Sequence, residues 1–475
     1  MEYKKRIYLS TVACLLLGSV GGHAEAAGFA IIEHSASGMG NAFAGAAAVA
    51  NDASTAWFNP AGLTLIKTPQ LMVAGHLIDA SSEFTDKGSS VSPALTGGAV
   101  VPGSITGSND DGVPGAAFVP NFYYVRPLGD KVSFGLAINA AFGLETDYED
   151  DWVGRYHGLN SALTTLNINP SLGWKINDQL SLGAGVSLQY VNAELSGAID
   201  STAACLGLAG TNSQLLQACT SAGLGPGTQA TLENDSKGKN ESDSIAVGFN
   251  LGLMYSVNEA TRLGMAYRSG ITQSTEGDAK FTVNENFKPV LEQINAGLRA
   301  TNAGKQFFTD TDITAEVDLP PSLSLSIAHQ ANARLQLLGD ITWTGWSSFE
   351  ELRIKYASGQ NDTATDESWE DVIRLSMGGN YQLDDKWTLR AGVAFDEEAI
   401  PDEKHRTPRI PGNDRWWLSL GAGLNVSKKI HLDFGFAHLF LDDFAADHTD
   451  DNGYSFRGEY SADINIASAQ LNWNF

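Results

Sequence analysis

The sequence predicts an all-β chain, a fourteen-stranded antiparallel barrel that spans a membrane and is filled from within by its own N-terminal segment. Three observations carry this. Apolar residues alternate with small or polar ones over long runs. Fourteen such runs are separated by gaps that are alternately short and long. Ahead of the first run lies a Gly/Ala-rich stretch with too little bulky apolar surface to fold by itself.

The chain begins with the features of a secretory leader. Lys4, Lys5 and Arg6 precede an apolar core over 7–20, and Ala24-Glu25-Ala26 forms a small-residue cleavage site. That core is shorter than the roughly 20 residues a spanning helix needs. Residues 1–26 are therefore set aside as a signal peptide, 27–68 as an N-terminal hatch, and 69–475 as the barrel. The formal net charge of −25 argues against a nucleic-acid partner, which needs a basic footprint. It suits long solvated loops, and acidic loops can also share divalent ions with anionic lipid head groups. Cys14 leaves with the leader; Cys205 and Cys219 remain, as a disulfide or as two free thiols, and their spacing matches no zinc site.

The alternation is clearest over 386–395, where Trp387, Leu389, Ala391, Val393 and Phe395 share one face. Runs over 180–190 and 245–255 repeat it, with Gly, Ser, Asn and Gln on the second face. A soluble sandwich also alternates, but its strands average about five or six residues and its apolar face points inward. Longer runs with a small, polar second face and aromatics near the ends fit an outward face bathed in lipid. The fourteen segments fall near 70–82, 116–126, 131–146, 163–176, 179–199, 242–256 and 261–275, then 312–329, 333–349, 368–382, 386–395, 415–426, 429–441 and 459–475.

Tight gaps such as Asn177-Asp178, Leu383-Asp384-Asp385 and Ser427-Lys428 carry hairpin residues. The longest gaps run over 200–241 and 276–311. Short turns inside the envelope and long loops outside are the layout of a bacterial outer-membrane barrel. Closure leaves no strand edge unpaired in lipid. About eight strands already enclose a bore that side chains can fill, so fourteen leave a wider one. The stretch 27–66 precedes the first strand on the periplasmic side and is placed to fold into that bore.

Along the whole chain lie Ala27-Gly28-Phe29, Ser37-Gly38-Met39-Gly40, Asn59-Pro60-Ala61, Pro120-Asn121, Phe142-Gly143-Leu144, Leu166-Asn167-Ile168-Asn169, Tyr267-Arg268-Ser269, Trp346-Ser347, Ile410-Pro411 and Asp414-Arg415. In this order they resemble the FadL-like outer-membrane transporters of long-chain fatty acids and aromatic hydrocarbons. The resemblance implies a kinked third strand at Phe142-Gly143 that opens a hole in the wall, and a hatch motif, Asn59-Pro60-Ala61-Gly62, near that hole. Asn-Pro is also an ordinary turn starter. It implies loop helices forming an apolar capture groove, here Leu215 and Leu216 in one loop and Val290, Leu291 and Ile294 in the other. The same faces could instead pack the loops onto the rim.

For the acid head of such a cargo, Arg353 occupies the position of a family lysine that contacts it. A second family cation, an arginine at the outer end of the fifth strand, is matched by Gly197; Arg155, Arg262 or Arg268 could compensate. The implied function is passive uptake of a long-chain fatty acid or similar hydrophobic molecule by a monomer, with capture by loops, binding in the lumen and lateral exit through the kink in the third strand. A monoaromatic hydrocarbon is the alternative cargo. The other partners are outer-membrane lipids, lipopolysaccharide and the barrel-assembly machinery, which a terminal aromatic such as Phe475 suits. A general porin or an outer-membrane lipid hydrolase are further readings. No nucleophile turn, zinc helix or phosphate loop occurs, and no cofactor or metal is expected. The acidic loop with Asp442, Asp443, Asp447, Asp450, Asp451 and His448 is read as solvated surface.

Overall fold

The computed structural model describes residues 28–91, 103–113, 115–228, 230–301 and 304–475. The leader, its cleavage point and Ala27 lie outside the described residues. The remainder closes as one antiparallel sheet of fourteen staves. They are β1 (Gln70–Asp86), β2 (Ala117–Pro127), β3 (Val132–Asn139 and Gly143–Asp147), β4 (Asn160–Lys175), β5 (Leu180–Asp200), β6 (Asp235–Ser256) and β7 (Thr261–Arg268 and Ile271–Thr282). The second half comprises β8 (Thr311–Leu319 and Ser322–Gln330), β9 (Leu335–Thr344 and Glu351–Tyr356), β10 (Val372–Gln382), β11 (Trp387–Asp396), β12 (Arg415–Asn425), β13 (Ile430–Leu441 and Phe444–Thr449) and β14 (Ser455–Asn474). A short rim strand, Thr363–Asp366, pairs with the outer half of β9. β1 and β14 close the ring from Gln70↔Asn474 to Asp86↔Gly458.

The period-two pattern sorts the faces. Val247, Phe249, Leu251, Met377, Phe434 and Phe436 are exposed on the outside, while Ser187, Gln189, Asn250, Ser376 and Ser419 are buried toward the lumen. No described helix is long and apolar enough to cross a membrane; the exposed apolar face lies on the strands.

The two long loops are shorter than the alternation suggested. β5 and β6 stay paired as far as Asp200↔Asp235, and β7 continues to Thr282. Beyond the lipid band the outward positions carry Lys239, Glu241 and Asp243, so the apolar period vanishes while the ladder goes on. The loops that remain hold three helices, Ser201–Ala209, Ser213–Ser221 and Lys288–Ala300, which pack together around a Cys205–Cys219 disulfide.

Candidate substrate cavity and the gap in the wall

Inside the barrel, residues 29–66 form three one-turn helices, Ala36–Met39, Ala46–Val49 and Thr55–Phe58, and a 3-10 turn, Pro60–Leu65. Small residues let this segment lie against the wall. A Cβ on Gly183 of β5 would sit 2.3 Å from Ala61 N, and one on Gly264 of β7 would sit 2.0 Å from Ala47 O. Fully buried Asn59 fastens the contact. Its Nδ2 donates to Ala47 O (2.7 Å) and to Leu253 O of β6 (3.0 Å), and its Oδ1 accepts from Ala61 N (3.0 Å). Asn59-Pro60 is thus both a helix start, with proline where no donor is needed, and an anchor to β6. On the opposite wall, Gln470 of β14 accepts from Ala36 N (2.9 Å) and donates to Asp52 (3.1 Å) and Asp433 (3.1 Å).

β3 is interrupted over 140–142. Its pairing with β2 stops at Phe122↔Ile138, whereas its outer half, Gly143–Asp147, pairs among the described strands with β4 alone. The inner edge of this break is taken by the N-terminal segment. Ile31 N donates to Ala141 O (3.0 Å), Gly143 N donates to Phe29 O (2.9 Å), and Ala30 bridges Phe142. Thr165 of β4 completes the repair, its hydroxyl accepting from Phe142 N (3.0 Å) and donating to Phe142 O (2.6 Å). Glycine at 143 suits the approach, since a Cβ there would lie 2.8 Å from Ile31 Cδ1. Outside the cavity, Phe29 is enclosed by Phe142, Trp346, Phe349 and Trp369 with ring centroids 4.8–5.9 Å away.

A cavity of about 190 Å³ lies behind this break. Ile31, Phe43, Trp57, Phe58, Phe142 and Trp346 give it an apolar side; Arg268, Asp340, Arg374 and Asp396 give it a charged one. The Arg268 guanidinium lies 3.3 Å from the Trp57 ring centroid and donates to Trp57 O (2.9 Å) and Ser187 Oγ (3.3 Å). Among the described residues no carboxylate lies within ion-pair distance of it. Arg374 donates to Ala42 O (3.1 Å).

Arg353, the cation that the resemblance selected for an acid head, is not in this cavity. It stands on the outer half of β9, partly exposed, paired with Glu351 (2.7 Å) and Asp362 (3.5 Å). β9 breaks over 345–350, and its outer half turns up to the rim. Of the three compensating arginines, Arg268 lines the cavity. Arg262 ties Ala48 O (3.1 Å) and Val49 O (3.0 Å) to β7, and Arg155 is buried in an outer loop against Asp235 (2.7 Å). The space left by Gly197 is reached from elsewhere. Arg409 of the β11–β12 loop brings Nη2 to 3.7 Å from where a Cβ on Gly197 would stand, donating to Ser196 O (3.2 Å), while its Nη1 donates to Ser161 Oγ (2.9 Å). Nearby Glu367 is buried beneath the rim, its carboxyl accepting from Trp369 Nε1 (3.0 Å), and burial pushes its pKa up to about 8. In the loops, Val290, Leu291 and Ile294 are buried against Cys205, Cys219 and Phe287, with Leu215 and Leu216 packed beside them. In this conformation those faces hold the helices to each other.

The residue the motifs did not single out is Thr165, whose repair of Phe142 needs the three-dimensional break to be seen. Comparison with known proteins agrees with this architecture. The model of the outer membrane protein transport protein family (OMPP1/FadL/TodX) matches residues 17–475. Outer membrane protein P1 of Haemophilus influenzae is 32% identical over 449 residues, 92% of this chain and 90% of that one. The long-chain fatty acid transport protein of Escherichia coli K12 is 28% identical over 446 residues, 92% of this chain and 93% of that one. Among solved structures, a FadL homologue of Pseudomonas aeruginosa superposes with a TM-score of 0.81 at 26% identity, covering 94% of this chain and all of that one. The toluene transporter TodX of P. putida shares the fold (TM-score 0.60, 18% identity, 89% of this chain and 94% of that one). A closed barrel, an internal N-terminal segment and a match along nearly the full length lead to one statement: this chain is an outer-membrane protein of the OMPP1/FadL/TodX transport family.

Proposed function

We propose that this protein takes up a long-chain fatty acid by passive transport: loops capture it, the cavity binds it, and it leaves sideways through the break in β3. The observation that carries this reading is a cavity whose end wall is the broken stave itself, paired there with only three residues, Phe29 to Ile31, of the N-terminal segment. Backbone pairing of so short a segment is weak compared with a full ladder, so cargo that fills the cavity can compete with it. At about 30 Å³ per water-sized group, the cavity takes roughly six methylenes. At about 0.8 kcal/mol each, their burial contributes roughly 5 kcal/mol, enough to hold and weak enough to release. Arg268, stacked on Trp57 and free of a carboxylate partner, is the cation for the acid head. On this reading the residues 27–68 act as a hatch and the protein is a channel, with no catalytic step.

The size of the cavity favours one second reading, a monoaromatic hydrocarbon, which would need no cation. Equilibrium binding of oleate and of toluene to the purified protein, with Arg268→Met beside wild type, separates them. The fatty-acid reading predicts oleate binding weakened about ten-fold or more, with toluene unaffected. Oleate affinity unchanged in the variant contradicts the role of Arg268; toluene bound and oleate not bound favours the hydrocarbon.

A further inference from the structure

Pro120-Asn121 and Asn167-Ile168-Asn169 stand out in the sequence yet neither line the cavity nor touch Asn59. Their asparagines face the lumen together with Asn139 and Asn250, and all five are at most 2% exposed. Asn139 sits opposite Asn167 across β3 and β4. Asn121 and Asn139 directly adjoin Phe122↔Ile138, the last pair before β2 and β3 part, so they flank the foot of the gap.

Their amides form a broken series from the cavity to that foot. Asn169 Nδ2 donates to Asn250 Oδ1 (2.9 Å), and Asn167 Nδ2 donates to Asn139 Oδ1 (3.1 Å). Asn139 Nδ2 meets His34 Nδ1 (3.2 Å), and Asn121 Nδ2 donates to Glu33 O (2.8 Å). Asn250 and His34 line the cavity. Four buried amide atoms along the series have no partner: Oδ1 of Asn121, Asn167 and Asn169, and Nδ2 of Asn250. A carbonyl such as Glu33 O can only accept, which fixes the free atom of Asn121 as its oxygen. Buried polar groups left in this state are costly, and a cluster of them needs an explanation.

Three acceptors without donors and one donor without an acceptor complement a head that carries both an O–H and a lone pair. A protonated carboxylic acid or an alcohol has both; a carboxylate has no donor, and a hydrocarbon has neither. We propose that this asparagine track passes the acid head from the cavity to the gap in its neutral form, a step that rests on the lateral-uptake reading above. The carboxylate takes one proton from a hydronium ion of the surrounding water on entering the track: one carboxyl O–H bond forms, one O–H bond of the hydronium breaks, and a water molecule is left. Neutrality is what the exit requires, because an unpaired charge entering the bilayer is expensive.

The test measures initial uptake of oleic acid, oleyl alcohol and methyl oleate by bacteria carrying the full chain as their only transporter of this family. Wild type is set beside Asn167→Ala and Asn121→Ala. The track predicts about ten-fold slower uptake of the acid and the alcohol, with the ester, which lacks a donor, unchanged and serving as proof that the barrel is intact. It also predicts that lowering the external pH speeds wild-type uptake of the acid and not of the alcohol. Equal losses for all three cargoes, no loss for any, or acid uptake indifferent to pH overturns the track while leaving the transport reading in place. Wild type that takes up none of the three overturns both.

Discussion

Where the N-terminal segment meets β5 to β7, wall glycines admit its backbone and Asn59 spends every hydrogen-bonding atom of its side chain on the contact. Where its first residues, 29–31, meet the broken stave β3, they are held by two backbone bonds and by the ring of Phe29, and Asn121 at the foot of the break keeps an oxygen with no partner. The first side is built as an interior is built, backbone packed closely against backbone. The second is built as a joint. A plug fastened equally all round would seal the bore and admit nothing. One fastened on one side can let its free end move while the remainder keeps water from passing.

The largest effect is expected on the fastened side. Asn59→Ala removes three hydrogen bonds from a fully buried position, at a cost of about 3 kcal/mol to docking. Planar-bilayer recordings of the variant should show ion conductance that wild type lacks, with the thermal transition of the barrel unchanged. A variant as silent as wild type would mean that Asn59 does not anchor the segment. A smaller effect, confined to the rim, is expected from Glu367. Its folded pKa is raised by burial, so its packing under Trp369 is complete below the ordinary glutamate range and weakens as pH rises toward about 8. Tryptophan fluorescence of the rim cluster should track that window, and Glu367→Gln should abolish the dependence. A fluorescence profile identical in the two proteins would remove Glu367 as its source.

The barrel was legible because lipid imposes a strict rule. Every strand crossing it must alternate, and the run over 245–255 does so for longer than a soluble sandwich strand needs, with Gly248, Asn250 and Gly252 on its second face. Outside the lipid that rule lapses, which hid the last turns of β6 and β7, where Lys239, Glu241 and Asp243 replace the apolar residues. The resemblance placed the break in β3 at Phe142-Gly143, and glycine suits it because a Cβ at 143 would lie 2.8 Å from Ile31 Cδ1. Arg353 was matched by its position along a strand, and beyond the interruption in β9 it stands outside the cavity, paired with Glu351 and Asp362. Arg409 could not have been chosen from sequence. It fills the space beside Gly197 from a loop more than two hundred residues away.

The central claim is that residues 29–31 are a removable cover on the gap. Ala30 and Phe142 face each other as a pair flanked by, not joined by, the two backbone bonds, so their Cα atoms lie about 4.5 Å apart, within disulfide reach. The double variant Ala30→Cys, Phe142→Cys can therefore be locked and unlocked, and the measurement is uptake of oleate by cells carrying it, oxidised and then reduced. Wild type treated in the same way controls for the native Cys205–Cys219 bond. A removable cover predicts that the oxidised protein still binds oleate but does not pass it, and that reduction restores uptake. Equal uptake in the two states would contradict exit through this gap.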